Sequence, residues 1–351
     1  MGEVMKKKTI NMVSQATSVK GQGVGSAYME QVKLVREGLG DKFEVYENAH
    51  MAADITHYHT INPQYLMQKK WRTRKGTSVC YVHFVPETVE QSLKIPKSAR
   101  KIFYSYMLKF YKSMDHLVVV NPYFIDVLEK YGISREKVTY IPNFVDTEQF
   151  HPISAEKKAK VRKKLGIDEN AFVVMCAGQL QVRKGAFDFL KCAELMPDVQ
   201  FVWAGGFSFG RMSDGYSELA KVVKNPPPNV KFLGIIERED MNKVYNAADV
   251  MALLSYDELF PMTILEAMCV HTPILLRDLP IYNNILFDFY YRETSVEGFV
   301  KEITRLRDDS EYYAAGVENS ARGNAFYEKK HVLEMWDEFY TSILKEENPL
   351  D

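Results

Sequence analysis

Cysteine is scarce: Cys80, Cys176, Cys192 and Cys269 are the only four in 351 residues, and none has the paired spacing of a zinc site or a disulfide framework. Three lie inside apolar runs, which reads as reduced core residues in a reducing compartment. No stretch approaches the ~20 consecutive apolar residues that span a bilayer, although 46% of the chain is hydrophobic and 26% charged. Lys6, Lys7 and Lys8 precede a run, 9–13, that is too short and too polar for a secretory signal. A cytoplasmic protein follows. No Asp-x-Asp pair is present to hold a metal, and no solenoid repeat is found. The net charge of −1 is unevenly spread: residues 1–150 carry 21 Lys and Arg against 15 Asp and Glu, leaving 24 against 31 for the rest. Between Lys69 and Lys112 stand 11 basic residues and only Glu87 and Glu90, so an anionic partner is expected there.

The length exceeds the ~250–300 residues at which single cores stop growing, so two domains are expected. Short β-rich runs at 9–14, 43–46, 55–57, 78–83 and 117–120 alternate with helical patterns. After Ile141-Pro142-Asn143 a polar stretch intervenes, and the alternation restarts with 171–177, 199–204, 230–232, 250–254 and 274–276. Two open parallel sheets with flanking helices are the economical reading. The expected domains are 1–150 and 151–326. A helical stripe over 327–344 (Val332, Met335, Trp336, Phe339, Ile343) follows a region with no further strand and is expected to pack back on the first domain.

Ligands of open parallel sheets bind beyond the carboxyl ends of the strands, so residues there carry the most information. Gly21-Gln22-Gly23-Val24-Gly25-Ser26 follows the first strand and opens a helix, where glycines let amides approach a diphosphate. Its spacing misses the dinucleotide fingerprint, which weakens a NAD reading despite Glu47 after the second strand. His83 closes a strand, with His57 and His59 nearby; a strand-end His can donate to a hydroxyl or phosphate oxygen, although most are simply hydrogen-bonded in place. No carboxylate cluster accompanies the three, which argues against a metal. Arg183-Lys184-Gly185 precedes the helix 186–195 and forms a potential anion site, or an ordinary solvated turn. Finally, Glu258 and Glu266 flank Pro261, which suits a first helical position and would leave the amides of Met262, Thr263 and Ile264 open to phosphate. Carboxylates beside a diphosphate earn their place by gripping hydroxyls.

In their order these pieces resemble the retaining glycosyltransferases of family 4, which have the GT-B fold. The resemblance covers nearly the whole chain: the glycine loop, 54–59, His83, Ile141-Pro142-Asn143-Phe144-Val145-Asp146 with Phe150 and Pro152, Arg183-Lys184-Gly185, Phe232-Leu233-Gly234, Ala247-Ala248-Asp249-Val250 and the Glu258/Glu266 pair. It implies an α/β architecture of two Rossmann-like domains facing across a cleft. The nucleotide-sugar site would comprise Gly23, Gly25, Arg183, Lys184, Ile235, Met262, Thr263, Ile264 and Glu266. It further implies that Lys184 neutralises a donor diphosphate, Glu266 holds ribose hydroxyls, Glu258 faces the donor sugar, His83 lies near the anomeric centre and the backbone at Ile235 reads the base. Gln179 stands where the family usually has Arg, and Arg183 is a possible substitute.

Residues 99–114 carry Phe103, Tyr106, Met107, Phe110 and Met114 at helical spacing, with Lys101, Lys109 and Lys112 opposite. Together with Lys97 and Arg100 this reads as an amphipathic basic helix contacting an anionic membrane surface. Within the family the chain resembles bacterial synthases that add a second hexose to monoglucosyl-diacylglycerol. That implies UDP-glucose or UDP-galactose as donor, a glycolipid acceptor at the inner face of the cell membrane, an α-linked product, no metal cofactor and no nucleic acid partner. A soluble polysaccharide-extending transferase and a non-catalytic sugar-nucleotide-binding protein are the alternatives.

Overall fold

A computed structural model describes residues 7–16, 23–74, 76–86, 97–208, 210, 213–258 and 260–347. The chain packs into two compact units, one formed by 1–144 with 329–351 and the other by 145–328. Each contains one six-stranded parallel sheet.

In the first unit the strands are β1 (Lys8–Val13), β2 (Phe43–Glu47), β3 (Ile55–Tyr58), β4 (Thr77–Val82), β5 (His116–Val119) and β6 (Val138–Tyr140), ordered β2-β1-β3-β4-β5-β6. The direction of winding reverses between β1 and β3. The crossover helices are α1 (Gly23–Gly38), α2 (Pro63–Arg72), α3 (Lys97–Ser113) and α4 (Tyr123–Lys130). Because β3, β4 and β5 succeed one another, right-handed crossovers put α2 and α3 on one face. Tyr106 of α3 donates to the Ile61 carbonyl just before α2 at 2.5 Å, and Lys69 of α2 donates to the Ser113 carbonyl. The last helix, α12 (Lys329–Glu347 in the chain's final stretch), packs on α1 and β4. Its Val332, Trp336, Phe339 and Ile343 are buried as the 3.6-residue stripe requires.

The second unit holds β7 (Val173–Ala177), β8 (Gln200–Ala204), β9 (Val230–Gly234), β10 (Val250–Leu253), β11 (Ile274–Arg277) and β12 (Tyr291–Glu293), ordered β12-β11-β10-β7-β8-β9. That is the doubly wound order of dinucleotide-binding sheets, with its switch point between β7 and β10. The helices are α5 (Ala155–Leu165), α6 (Ala186–Leu195), α7 (Tyr216–Lys224), α8 (Arg238–Ala247), α9 (Met262–Cys269), α10 (Val296–Asp308) and α11 (Ser310–Phe326). Asp249 fastens the amino end of this sheet: it accepts from Arg162 Nη2 and Lys158 Nζ at 2.7 Å each and from the Val173 amide at 2.8 Å. This motif residue therefore supports architecture at the end remote from the ligand-binding edge.

Ten strands lie where the alternation puts them. The expectation of no further strand before the final helix is corrected by β12, and β6 was also missed. Both are three-residue edge strands, too short to show a period of two.

Trp336 anchors α12. Its ring stacks on Tyr340 at 5.3 Å and meets Tyr81 and His57 at 5.6 and 5.5 Å. Trp336→Ala should lower the stability of the first unit by about 3–5 kcal/mol, read by denaturant titration; an unchanged midpoint would contradict this packing.

Candidate active site

At the β7/β10 switch point two loops meet. Residues 178–185 leave β7 and residues 254–261 leave β10. Gly185, at φ +72°, caps α6, and a Cβ there would lie 2.2 Å from the Leu254 carbonyl oxygen. Only glycine permits that approach, and it lays the Arg183-Lys184 pair against the second loop. Arg183 Nη1 donates to the Asp257 carbonyl at 2.7 Å, and the Tyr256 amide returns a bond to the Arg183 carbonyl at 2.9 Å. Beneath, Arg277 bonds the Leu254 carbonyl at 3.0 Å, pairs with Asp188 and lies 4.1 Å from the Tyr256 ring centroid. Neither Arg277 nor Asp188 carries a sequence signal for this work.

Within this frame Lys184 Nζ is ion-paired with Glu258, and both are largely buried. Burial alone would raise the Glu258 carboxyl, but Lys184 and Arg183 more than offset it and the net shift is downward. Glu258 is thus a carboxylate at neutral pH, held by a partner rather than open in its loop. Arg183, considered as a substitute for the missing arginine at Gln179, is engaged with the Asp257 backbone. Gln179 itself accepts from Gln181 at 2.8 Å. Buried Arg183 Nε, Thr263 Oγ1 and Tyr282 Oη find no partner among the described residues. In native interiors such polar groups are seldom left unpaired.

The second carboxylate sits on α9. Glu266 is buried, its Oε1 accepting from Arg238 Nη1 at 2.7 Å and its Oε2 from Tyr245 Oη at 2.6 Å. Pro261 precedes α9 as its N-cap, one place earlier than expected. The expectation of three open amides is also corrected, since the Ile264 amide donates to the Pro261 carbonyl at 3.0 Å; Met262 and Ile264 send their side chains into the core. At the ends of β8 and β9 the backbones converge, with Gly205 donating to the Gly234 carbonyl at 2.7 Å. A Cβ on Gly205 would lie 1.8 Å from the Gly178 carbonyl oxygen. Next to this junction Ile235 is exposed.

In the first unit His83 follows β4, and its ring lies 6.2 Å from that of His59, which is 4.3 Å from His57. Tyr81, Tyr28 and Trp336 surround them. His57 Nδ1 meets Tyr340 Oη at 2.9 Å. His83 Nε2 and both ring nitrogens of His59 have no partner among the described residues, contrary to the ordinary lot of a strand-end histidine. Burial depresses His83 to about 4, burial and then His83 depress His57 to about 3, and His59 falls well below its usual range, chiefly by burial. The cluster is therefore neutral. Among the described residues no three His, Cys, Asp or Glu side chains converge as metal ligands.

Gly23 and Gly25 fall inside the first turn of α1 rather than in a loop, Gly25 standing where a Cβ would come within 3.1 Å of the Ala16 carbonyl oxygen. Gly21 and Gln22 lie outside the described residues. Of the basic set, Lys101, Lys109 and Lys112 are exposed and Arg100 is half-buried; Lys97 opens α3, with its side chain outside the description. Met107, Phe110 and Met114 are buried, whereas Phe103 and Tyr106 remain half-buried and Tyr111 joins the core instead.

The comparisons decide the family. The "Glycosyltransferase Family 4" model matches residues 21–149 and the "Glycosyl transferases group 1" model 157–322. The alpha-galactosylglucosyldiacylglycerol synthase of Streptococcus pneumoniae is 45% identical over 336 residues, 95% of this chain and 90% of that protein. The chain belongs to glycosyltransferase family 4. It is a glycosyltransferase of the GT-B fold. The processive diacylglycerol alpha-glucosyltransferase of Acholeplasma laidlawii is 26% identical, over 80% of this chain and 81% of that protein. Two solved structures share the fold: Anabaena HepE with UDP-glucose, TM-score 0.76 at 17% identity over 95% of this chain and all of that one, and the sucrose-phosphate synthase of Thermosynechococcus elongatus, TM-score 0.79 at 14% identity over 96% and 99%.

The neutral histidine cluster has a pH signature. Its folded values lie below the ordinary 6.5, so between pH 6.5 and about 4 the unfolded chain binds more protons. Stability is fully present above 6.5 and falls as pH drops through that window. His59→Phe, which removes two nitrogens unpartnered among the described residues, should flatten the slope, by an amount that approaches about 1.4 kcal/mol per pH unit only near pH 5. Denaturant titrations at pH 5, 6 and 7 check this; an unaltered slope would refute it.

Proposed function

We propose that this glycosyltransferase moves a hexose, galactose before glucose, from its UDP conjugate to monoglucosyl-diacylglycerol with retention, giving an α-linked diglycosyl lipid. The 45% identity to an alpha-galactosylglucosyldiacylglycerol synthase, over almost the full length of both chains, is what carries the reading. A second relative is also named for a diacylglycerol glucosyltransferase.

The chemistry of the second unit fits a nucleotide-sugar donor. An ammonium has three donors, so Lys184 can keep Glu258 and still meet a diphosphate oxygen, neutralising charge that grows on the departing UDP. The Met262 and Thr263 amides and the Thr263 hydroxyl add donors at the start of α9. Glu258 then accepts from a hexose hydroxyl, and Glu266 from the ribose. The exposed backbone at Ile235, beside the Gly205/Gly234 junction, is the place for the uracil edge. In the first unit the neutral His83, whose Nε2 has no partner among the described residues, is suited to a hydroxyl of the reacting sugar. These groups supply the charge stabilisation themselves, so transfer should persist in EDTA.

The acceptor is brought by a lipid surface at the inner face of the cell membrane. No described helix is long and apolar enough to cross a membrane. Instead Met67 and Trp71 on α2 and Ile102 on α3 are 84%, 42% and 73% exposed. Met67 and Trp71 share α2 with the exposed Lys70, and Ile102 shares α3 with the exposed Lys101, Lys109 and Lys112. Exposed apolar anchors amid cations match what an anionic bilayer binds.

Incubation with monoglucosyl-diacylglycerol and each UDP-hexose, followed by mass spectrometry and linkage analysis, should give an α-linked dihexosyl lipid with EDTA present. UDP binding without transfer to any lipid would overturn the reading. Replacing Lys101, Lys109 and Lys112 by Gln should weaken sedimentation with anionic vesicles by about tenfold or more, at roughly 1 kcal/mol per cation. Salt-insensitive binding, or none by the native chain, would remove the membrane from the account.

A further inference from the structure

Glu266 is taken above as the ribose anchor, and the present inference rests on that reading. Two residues outside every motif in the sequence hold it. Arg238 opens α8 and Tyr245 lies seven residues, two turns, further along, so both project from one face toward α9. One donates to each carboxylate oxygen, at 2.7 and 2.6 Å. The clamp is itself fixed. The Arg238 guanidinium lies 5.3 Å from the Phe150 ring centroid, and that ring meets Tyr245 edge-on at 6.0 Å. On the same helix Asn242 and Asn246 accept from the His151 and Ile153 amides at 3.1 and 3.0 Å, which ties α8 to the segment carrying Phe150.

A carboxylate offers about four lone-pair directions over two oxygens. Arg238 and Tyr245 take one on each, so one acceptor direction per oxygen is left. Two parallel acceptors on adjacent oxygens suit two hydroxyls on adjacent carbons. The guanidinium also supplies the counter-charge that a carboxylate buried this deeply needs, and it keeps uncompensated negative charge away from an incoming diphosphate.

We propose that Arg238 and Tyr245 are positioning residues that orient the Glu266 carboxylate toward the vicinal 2′- and 3′-hydroxyls of the donor nucleotide, so that this trio sets the preference for a ribonucleotide. A helix-to-helix ion pair with a purely structural purpose would hold α8 against α9 and affect every nucleotide alike. The two differ in one measurable quantity, the ratio of affinities for UDP and 2′-deoxy-UDP.

Calorimetric titration of the full chain with both nucleotides gives that ratio. The native protein should favour UDP by about tenfold or more, as sites built to bind a hydroxyl do. Glu266→Ala should abolish the preference. Tyr245→Phe and Arg238→Gln should each cut it several-fold by weakening UDP while leaving 2′-deoxy-UDP nearly unchanged, and Arg238→Lys should restore part of it. Tyr245→Phe removes one oxygen atom only, so it serves where Arg238→Gln fails to fold. A preference lost in Glu266→Ala but intact in Tyr245→Phe and in Arg238→Gln where it folds, or equal weakening of both nucleotides, overturns the positioning role and spares the ribose anchor. A preference that survives Glu266→Ala, or is absent from the native chain, overturns the anchor and this proposal together.

Discussion

The approach of Gly185 to the Leu254 carbonyl is the constraint on which the candidate site of the second unit depends. It occurs where the second sheet reverses its winding, between β7 and β10, so that no crossover helix covers the gap. Any side chain at Gly185 would push the two loops apart. With them would go the Lys184–Glu258 pair, whose members come from different loops and are held by a backbone exchange between Arg183 and the 256–257 segment. Arg277 and Asp188 brace the same contact from below. Chemistry here is the outcome of backbone proximity, and the charges follow.

Electrostatics then divides the molecule. The second unit buries ionised groups in pairs, Lys184 with Glu258 and Arg238 with Glu266. A buried pair gains little stability over an apolar replacement, so stability alone does not account for it; the ligand of the proposed function, a polyanion carrying hydroxyl groups, would. The first unit does the opposite. His57, His59 and His83 are buried without counter-charges strong enough to keep them protonated, and they stay neutral at and just beyond the carboxyl ends of β3 and β4.

Much of this was legible beforehand because parallel sheets place their ligand-binding residues at strand ends, and strand ends can be read from short apolar runs. Lys184, Glu258 and His83 stand out as candidates on that ground, and the order of motifs carries the family. The three-residue edge strands β6 and β12 left too few residues for any periodicity. The pairing of Lys184 with Glu258 was invisible because the two stand 74 positions apart, and nothing local signals a partner. Arg238 and Tyr245 were missed for a related reason. Arg238 lies in the run Glu237-Arg238-Glu239-Asp240, which reads as a solvated helix start. Conversely, Ile264 was credited with an open amide because helix-start rules do not say which of the first amides a preceding turn consumes.

We propose that the β7/β10 switch point binds the diphosphate of the donor through Lys184. Calorimetric titration of UDP and uridine against the native protein and Lys184→Ala tests it most directly. The account predicts that the substitution weakens UDP by about tenfold or more, the cost of a lost charge-assisted contact, while uridine binds both proteins alike. Equal UDP affinities in the two proteins would contradict it.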